Sequence, residues 1–499
     1  MTPVQNFPFF CIILSMFSAL VSFVLRGRAA KWVHLVMTGT VLILSLGVLG
    51  YTVRTGESYT YMMGHYPAPW GNEIRVGPLE ALLAAGFSLL MLLSVLGGLA
   101  HIGREIAPSR QNLFYIHLDL LLSSLLALIY TNDLFTAYVF IEICTIAACG
   151  LIMARRTGRV YVSAIRYMIM SLVGSGLFLI GLSLLYSVTG QLLMTPAKEA
   201  MHGLIAGERF TLPLTVILIL LVVSLGIKSG LYPFHTWIPD AYGYATPAAS
   251  AVLSSLVSKG YIVLLVKLMV RVLPYETRAA RNMMDILFIL GIVGMIWGSV
   301  DAIRENDIRR MTAYSSVAQI GYIYMGLGLG TDAAVTAALF HVLSHGVMKA
   351  LLFLCIPGLT EVSGGRGDRM ALRGAGYRHR VAGLGFTVGA LSMIGMPLLT
   401  GFVSKYTFAA AATSAPAGKM LAAWVALAVS TTLNAVYFMR MVLVLYTSVD
   451  APMRRAEADY RPSRTENAAA AGLVLLNIAL GVASPPVIDL LAKGLAVFG

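Results

Sequence analysis

The chain has 499 residues, of which 58% are hydrophobic and only 12% charged, with a formal net charge of +13. A water-soluble domain carries about a quarter charged residues, so the composition excludes one and points to a polytopic helical membrane protein with almost no soluble part. The basic excess fits Lys- and Arg-rich loops on one side of a bilayer rather than nucleic-acid binding.

Apolar runs predict fourteen transmembrane helices, over approximately 7–25, 33–53, 79–101, 112–130, 133–153, 162–189, 211–229, 247–272, 283–302, 311–330, 333–357, 381–413, 419–446 and 468–491. The first lacks a basic start and a small-residue cleavage site, and reads as a retained helix rather than a signal peptide. Residues 54–78, with Gly64, Pro67, Pro69 and Gly71, read as an external loop that also takes in Glu80. The seventh span runs past Lys228 into GLYPFHTWIPDAYGYATP, where Gly230, Pro233 and Pro239 are expected to break the helix. The twelfth is interrupted at GMPLLTG by Pro397 and Gly401.

Basic residues alternate in density from loop to loop. One set of loops holds Arg26, Arg28 and Lys31, then Arg155, Arg156 and Arg159, then Arg304, Arg309 and Arg310, a run of arginines over 366–380, and Arg454, Arg455, Arg461 and Arg464. The opposite set is poorer, with Arg54, Arg75, Lys198 and Arg209 among its members. The rich set is expected inside, which puts both termini outside. The two broken helices stand five spans apart. The predicted division is therefore three N-terminal helices and a loop over 1–110, a five-helix repeat over 111–272, an inverted five-helix repeat over 283–446, and a cytoplasmic loop with the last helix over 447–499. Broken helices at matching places in inverted repeats point to a transport site.

Titratable groups stand inside these oily stretches. Lys228, Lys259, Lys349 and Lys405 each occupy a predicted span, and Glu142 another. A charge at the bilayer centre costs about 2.5–3.5 kcal/mol on insertion scales, so five of them imply a polar path. Burial favours the neutral form of a carboxylate or an amine, and proximity of the two favours both charges. A Glu142–Lys228 pair that opens and closes would then hold or release protons, and lysine can do so where arginine cannot. His235 falls in the seventh-span break and is expected to relay between Lys228 and Lys259. His341, His345 and Lys349 are spaced four apart, on one helix face. The HxxxH pair lacks a third ligand in the sequence, so a proton-conducting stripe toward Lys405 fits better than a metal. Lys405 is read as the repeat counterpart of Lys228. His117 and Asp119 are expected at an entrance or the interface, Lys267 and Arg440 to snorkel, and Asp301 and Asp307 to flank a basic topology anchor. The four cysteines lie in apolar stretches with no CxxC and read as core residues.

Three stretches carry a resemblance. GIKSGLYPFHTWIPDAYGYATPAASAVLSSLVSKGYIVLL, ENDIRRMTAYSSVAQIGYIYMGLGLG and ALFHVLSHGVMKALLFLCIPGL resemble the antiporter-like membrane subunits of respiratory complex I, Mrp-type sodium/proton antiporters and membrane-bound energy-converting hydrogenases. The resemblance extends over roughly 75–450. It implies fourteen core helices with two inverted repeats. It matches Glu142 and Lys228 to the family's glutamate–lysine pair, Lys259 to its central lysine, Lys405 to its terminal one, and His235, His341, His345 and Lys349 to the polar axis between them. YGYATP departs from the more polar, histidine-bearing turn of the family. The implied function is a proton- or sodium-translocating subunit of a redox-driven complex of NADH-quinone or hydrogenase type, or an Mrp antiporter subunit. A quinone-binding subunit, using Tyr232, Phe234 and Trp237, and a non-conducting spacer are the alternatives. The implied partners are other membrane subunits, homologous antiporter-like chains among them, and a redox arm. No flavin, haem or dinucleotide signature is present in the sequence, and no cofactor is expected.

Overall fold

Backbone amides inside lipid find partners only within helices or closed barrels, and the apolar runs of this chain form α-helices. The computed structural model describes residues 2–66, 71–207, 211–273, 277–448 and 463–498. Pro67 and Pro69 of the expected external loop, Arg209, and Arg454, Arg455 and Arg461 of the expected inside loop lie outside the described residues.

The chain begins with an antiparallel pair, α1 (Phe7–Val24) and α2 (Gly27–Thr55). A two-stranded hairpin follows, β1 (Tyr59–Met62) and β2 (Glu73–Val76), paired from Tyr59 with Val76 to Met62 with Glu73. Next come α3 (Pro78–Glu105), α4 (Gln111–Tyr130), α5 (Leu134–Ile152) and α6 (Gly158–Thr189). A short α7 (Met194–Ala206), unanticipated from the hydropathy, leads to α8 (Thr211–Ser229). Beyond a break stand α9 (Ile238–Tyr244), α10 (Pro247–Val252), a π-helical turn at Leu253–Val257 and α11 (Ser258–Arg271). The later part comprises α12 (Arg278–Arg304), α13 (Ile308–Leu329), α14 (Asp332–Glu361), a single turn α15 (Ala375–Arg378), α16 (Arg380–Ile394), α17 (Thr400–Ala412) and α18 (Ala417–Leu445). The predicted span at 468–491 is two helices instead, α19 (Arg464–Val482) and α20 (Ser484–Ala496). Ser484, Pro485 and Pro486 explain that split, because proline suits the first turn of a new helix and not the interior of an old one.

Twelve described segments are long and apolar enough to cross a membrane. The two remaining predicted spans fall on α13, a 22-residue helix, and on the α16–α17 pair. The most apolar stretches of the α10–α11 segment and of α14 are wholly enclosed by other helices. α1, α2, α6 and α18 form part of the periphery and expose large apolar side chains such as Phe17, Ile43, Ile165 and Val425 where lipid would lie.

Small residues let helices approach in lipid, where no hydrophobic force draws them together. α12 and α13 meet through Gly291, Gly298, Gly321 and Gly328. A Cβ on Gly321 would stand 2.6 Å from the Gly291 carbonyl oxygen, and one on Gly328 would stand 2.4 Å from the Phe288 amide.

The two breaks follow their predicted residues. α8 stops where Gly230 turns left-handed at φ 81°, and a side chain there would meet Ile238 Cδ1 at 2.2 Å. α16 stops at Gly395 with φ 101°, and Leu398 also takes positive φ. Gly401 is obligatory, because its Cβ would lie 1.8 Å from the Ser392 carbonyl oxygen.

Buried polar residues depart from several expectations. Glu80 is no loop residue: it caps α3 through the Gly77 amide at 3.0 Å and pairs with Arg271 at 2.6 Å, both side chains fully enclosed. Arg271 also donates to the Phe498 carbonyl at 2.6 Å and lies over its ring, which ties α11 to the end of the described chain. Lys267 does not snorkel. It is completely buried and donates to the Leu128, Ile129 and Thr131 carbonyls, oxygens that the end of α4 leaves free. Asp119 lines no entrance. It is fully buried, accepts from Ser18 Oγ at 2.8 Å and lies 2.5 Å from His34 Nδ1, joining α1, α2 and α4. His117 is turned to the Leu113 carbonyl and packs beside Gly150. Asp307 is the N-cap of α13, accepting from the Arg309 and Arg310 amides. All four cysteines are buried and free.

Two substitutions test this packing. Glu80→Leu strands Arg271 and is expected to cost about 3–5 kcal/mol, while Glu80→Leu with Arg271→Met recovers most of the loss. Chemical or thermal unfolding in detergent reads both. Gly321→Leu is expected to cost about 1–3 kcal/mol by forcing α12 from α13, and a melting temperature equal to the parent chain's would contradict the close approach.

Candidate functional site

The first pair stands where α5 meets α8. Lys228, one residue from the end of α8, places its Nζ 3.8 Å from Glu142 Oε1 and donates to Thr145 Oγ1 at 2.7 Å. Thr145 lies one turn after Glu142, so one face of α5 presents both partners. The Lys228 ammonium also faces the Tyr261 ring of α11 at 5.8 Å, and Gly174 of α6 packs against its stem. The Lys228 side chain is 1% exposed and that of Glu142 is 27% exposed. Glu142 thus reaches the lateral apolar surface, where Val139 and Ile146 are also exposed. Its Oε1 makes no hydrogen bond.

Lys259 lies in the first turn of α11, directly after the π-helical turn. Its ammonium bonds the Ser254 carbonyl, five residues back and within that turn. A π-turn widens the helix and shifts its carbonyls out of the α register, which supplies a seat for a cation. Lys259 is fully buried and has no acidic partner among the described residues. α11, which carries it, and the preceding π-turn pack against α14, the helix of His341, His345 and Lys349.

On α14 the four-residue spacing does stack the side chains. The His341 and His345 rings lie 5.5 Å apart at 19°. His341 Nδ1 is 2.6 Å from Ser404 Oγ of α17, and neither ring nitrogen of His345 has a hydrogen-bond partner among the described residues. Lys349 donates to the Thr312 carbonyl at 2.6 Å and to Ser315 Oγ at 2.5 Å, both on α13. Toward the other end, the Tyr322 ring stacks on His341 at 5.8 Å and meets the Lys405 ammonium at 5.5 Å. Lys405 donates to the Ile394 carbonyl at 2.7 Å and to Thr431 Oγ1 at 3.1 Å. Ile394 is the last residue of α16, so the helix break supplies this oxygen.

The structure therefore brings Glu142 with Lys228, Lys259 near the α14 stripe, and His341 with Tyr322 and Lys405. His235 is buried, its ring stacks on Tyr232 at 5.3 Å, and no hydrogen bond joins it to Lys228 or Lys259 among the described residues. Lys228 precedes its helix break and Lys405 follows its own, so the two lysines differ in the helix half that carries them. Sequence reading missed Thr145, Tyr261, Tyr322, Ser404 and Thr431, which form the walls between the charged groups. A run of serines, Ser254, Ser255 and Ser258, is the one local hint of the π-turn.

A family model described as NADH:quinone oxidoreductase/Mrp antiporter, TM, matches residues 131–433. The chain is 33% identical over 493 residues to NADH-quinone oxidoreductase subunit N of Desulforudis audaxviator, covering 96% of this chain and 95% of that one. It is 27% identical over 412 residues to a Na(+)/H(+) antiporter subunit of Bacillus subtilis, covering 81% and 80%. Its fold is similar to a chain of the Mrp complex from Dietzia sp. DQ12-45-1b, with a TM-score of 0.87 and 22% identity, covering 99% of this chain and 97% of that chain. The chain belongs to the NADH:quinone oxidoreductase/Mrp antiporter transmembrane family of antiporter-like membrane subunits.

Proposed function

We propose that this chain translocates protons as one subunit of a larger, redox-driven membrane complex. The observation that carries the reading is a set of amines seated on neutral oxygens, three of them enclosed and that of Lys405 half-buried. Lys228, Lys259, Lys349 and Lys405 each bond a carbonyl or hydroxyl, and only Lys228 stands beside a carboxylate among the described residues. Neutral oxygens hold an ammonium ion without fixing its charge, so such a lysine can give up its proton and take another. Glu142–Lys228 serves as the gate of a first half-channel, Lys259 as the midpoint carrier, and His345, His341 and Lys349 as the relay to Lys405. Hydroxyl and imidazole partners favour protons over sodium, which prefers several oxygen ligands. His235 serves the path from its site beside Tyr232, through water rather than direct contact.

A partly exposed carboxylate at membrane depth is costly. Glu142 on a lateral apolar face therefore argues for a neighbouring subunit that covers it. Relatives named as NADH-quinone oxidoreductase subunits support the redox-driven reading. The similarity to a Na(+)/H(+) antiporter subunit supports the second reading, an Mrp-type sodium/proton antiporter subunit. In either case we assign the chain to the cell's inner membrane, with both termini outside. Residues 111–272 and 283–446 are taken as the two inverted repeats. The contacts are consistent with that sidedness, since the expected inside loops meet one another: Arg104 pairs with Glu361, Arg155 with Glu105, and Arg310 with Asp240.

Glu142→Gln in the assembled complex is expected to cut proton translocation in vesicles about 100-fold, the scale of a lost proton-transfer group. Unchanged flux would remove the gate. Lys405→Met is expected to abolish translocation to a similar degree while leaving subunit assembly intact. Flux retained by that variant would move the exit elsewhere.

A further inference from the structure

At the arginine-rich end of the bundle, α6, α9 and α13 enclose a cleft of about 570 Å³ that the proton path does not use. Its charged lining is Arg159, Arg166 and Arg310 against Asp240 alone. Asp240 contacts Arg166 at 2.6 Å and also pairs with Arg310, which is further held by Glu305 at 2.8 Å. Arg159 and the adjacent, exposed Arg156 make no ion pair among the described residues. Among the described residues, the arginines lining and flanking the cleft therefore outnumber the acids that pair with them. The cleft mouth is open, since a Cβ on Gly158 would meet nothing within 4 Å.

The same helix face continues as hydrocarbon. Arg159 and Arg166 stand two turns apart on α6, with Val162 between them. Val162, Ile165, Ile169 and Val173 then run down the helix as an unpartnered stripe, each half exposed or more. A charged cleft that opens onto an apolar stripe has the polarity of one molecule class.

We propose that this cleft binds the phosphate of an anionic phospholipid, whose acyl chains lie along the Val162–Ile165–Ile169–Val173 stripe. Guanidinium forks match phosphate oxygens in pairs, and basic pockets between transmembrane helices on the cytoplasmic side recognise such headgroups. The phosphate sits between Arg159 and Arg166, adding a counter-charge that Asp240 alone does not supply. The apolar stripe favours a lipid over an acidic protein loop, which would need polar cover to continue along α6. Because Arg310 and Asp240 also hold α9 to α13, the bound headgroup braces the segment that follows the break in the seventh span.

The test is lipid retention by the purified full chain in detergent, read by native mass spectrometry with phosphatidylglycerol and phosphatidylcholine in competition. Phosphatidylglycerol is expected to be retained preferentially. Arg159→Gln, which breaks no ion pair, is expected to weaken that retention about fivefold. Arg54→Gln, at the opposite end of the bundle, is expected to leave it unchanged. Melting temperature in the same samples verifies that Arg159→Gln is folded. Equal retention of the two lipids, or Arg159→Gln retaining phosphatidylglycerol like the parent chain, overturns the proposal. Displacement of the lipid by millimolar inorganic phosphate would reassign the cleft to free phosphate. Loss of subunit association in the assembled complex, with lipid retention intact, would reassign it to a protein interface.

Discussion

An ammonium ion inside a bilayer has to find oxygen, and for three lysines of this protein the oxygen comes from a place where a helix stops being regular. Lys405 takes the last carbonyl of α16 at its break. Lys259 takes a carbonyl of the π-helical turn. Lys267 takes three carbonyls from the end of α4. Lys228 and Lys349 use hydroxyls as well, from Thr145 and Ser315. Regular helices already bond their carbonyls internally, so a cation there shares an oxygen, as Lys349 shares the Thr312 carbonyl within α13. Where the backbone is irregular, as beside Lys259, Lys267 and Lys405, a buried amine and a freed carbonyl satisfy each other, and either alone in lipid leaves an unpaired polar group.

This dependence separates two kinds of buried basic residue. Arg271 is locked by Glu80, by the Phe498 carbonyl and by the Phe498 ring, and arginine does not release its proton. It is a structural tie. Lys228, Lys259, Lys349 and Lys405 have looser seats, one carbonyl or hydroxyl or a pair of them, with the Tyr261 ring facing Lys228 and the Tyr322 ring facing Lys405. His345 has both ring nitrogens unbonded among the described residues. Water filling these gaps would complete the row, and the polar lining is what would admit it. Lys267, held by three carbonyls at the end of α4, stands with Arg271 as a tie between helices.

Much of this was legible in the amino-acid sequence, for definite reasons. Hydropathy marks spans because backbone in lipid leaves few options, and Gly230 and Gly401 mark breaks because a left-handed φ at the first and close approaches at both exclude a side chain. The i, i+4 spacing of His341, His345 and Lys349 placed one face. What stayed hidden depended on helices distant in the chain. Nothing near Glu80 foretells Arg271, 191 residues later, and nothing near Lys267 foretells the end of α4. The π-turn stayed hidden because its serine-rich sequence is as compatible with a regular helix. His235 reads as a relay from its neighbours in sequence, and the sequence does not foretell that its ring stacks on Tyr232.

The central claim is that Lys259 carries protons rather than merely filling a polar seat, and Lys259→Arg addresses it most directly. Arginine keeps the charge and can reach the Ser254 carbonyl, but it holds its proton. The measurement is proton uptake into vesicles by the assembled complex, driven by its natural electron donor and compared at equal complex content. Loss of uptake with the subunit still incorporated is the predicted result. Uptake at the parent rate would mean that a fixed positive charge suffices at this position, and the account of a titrating lysine row would be contradicted.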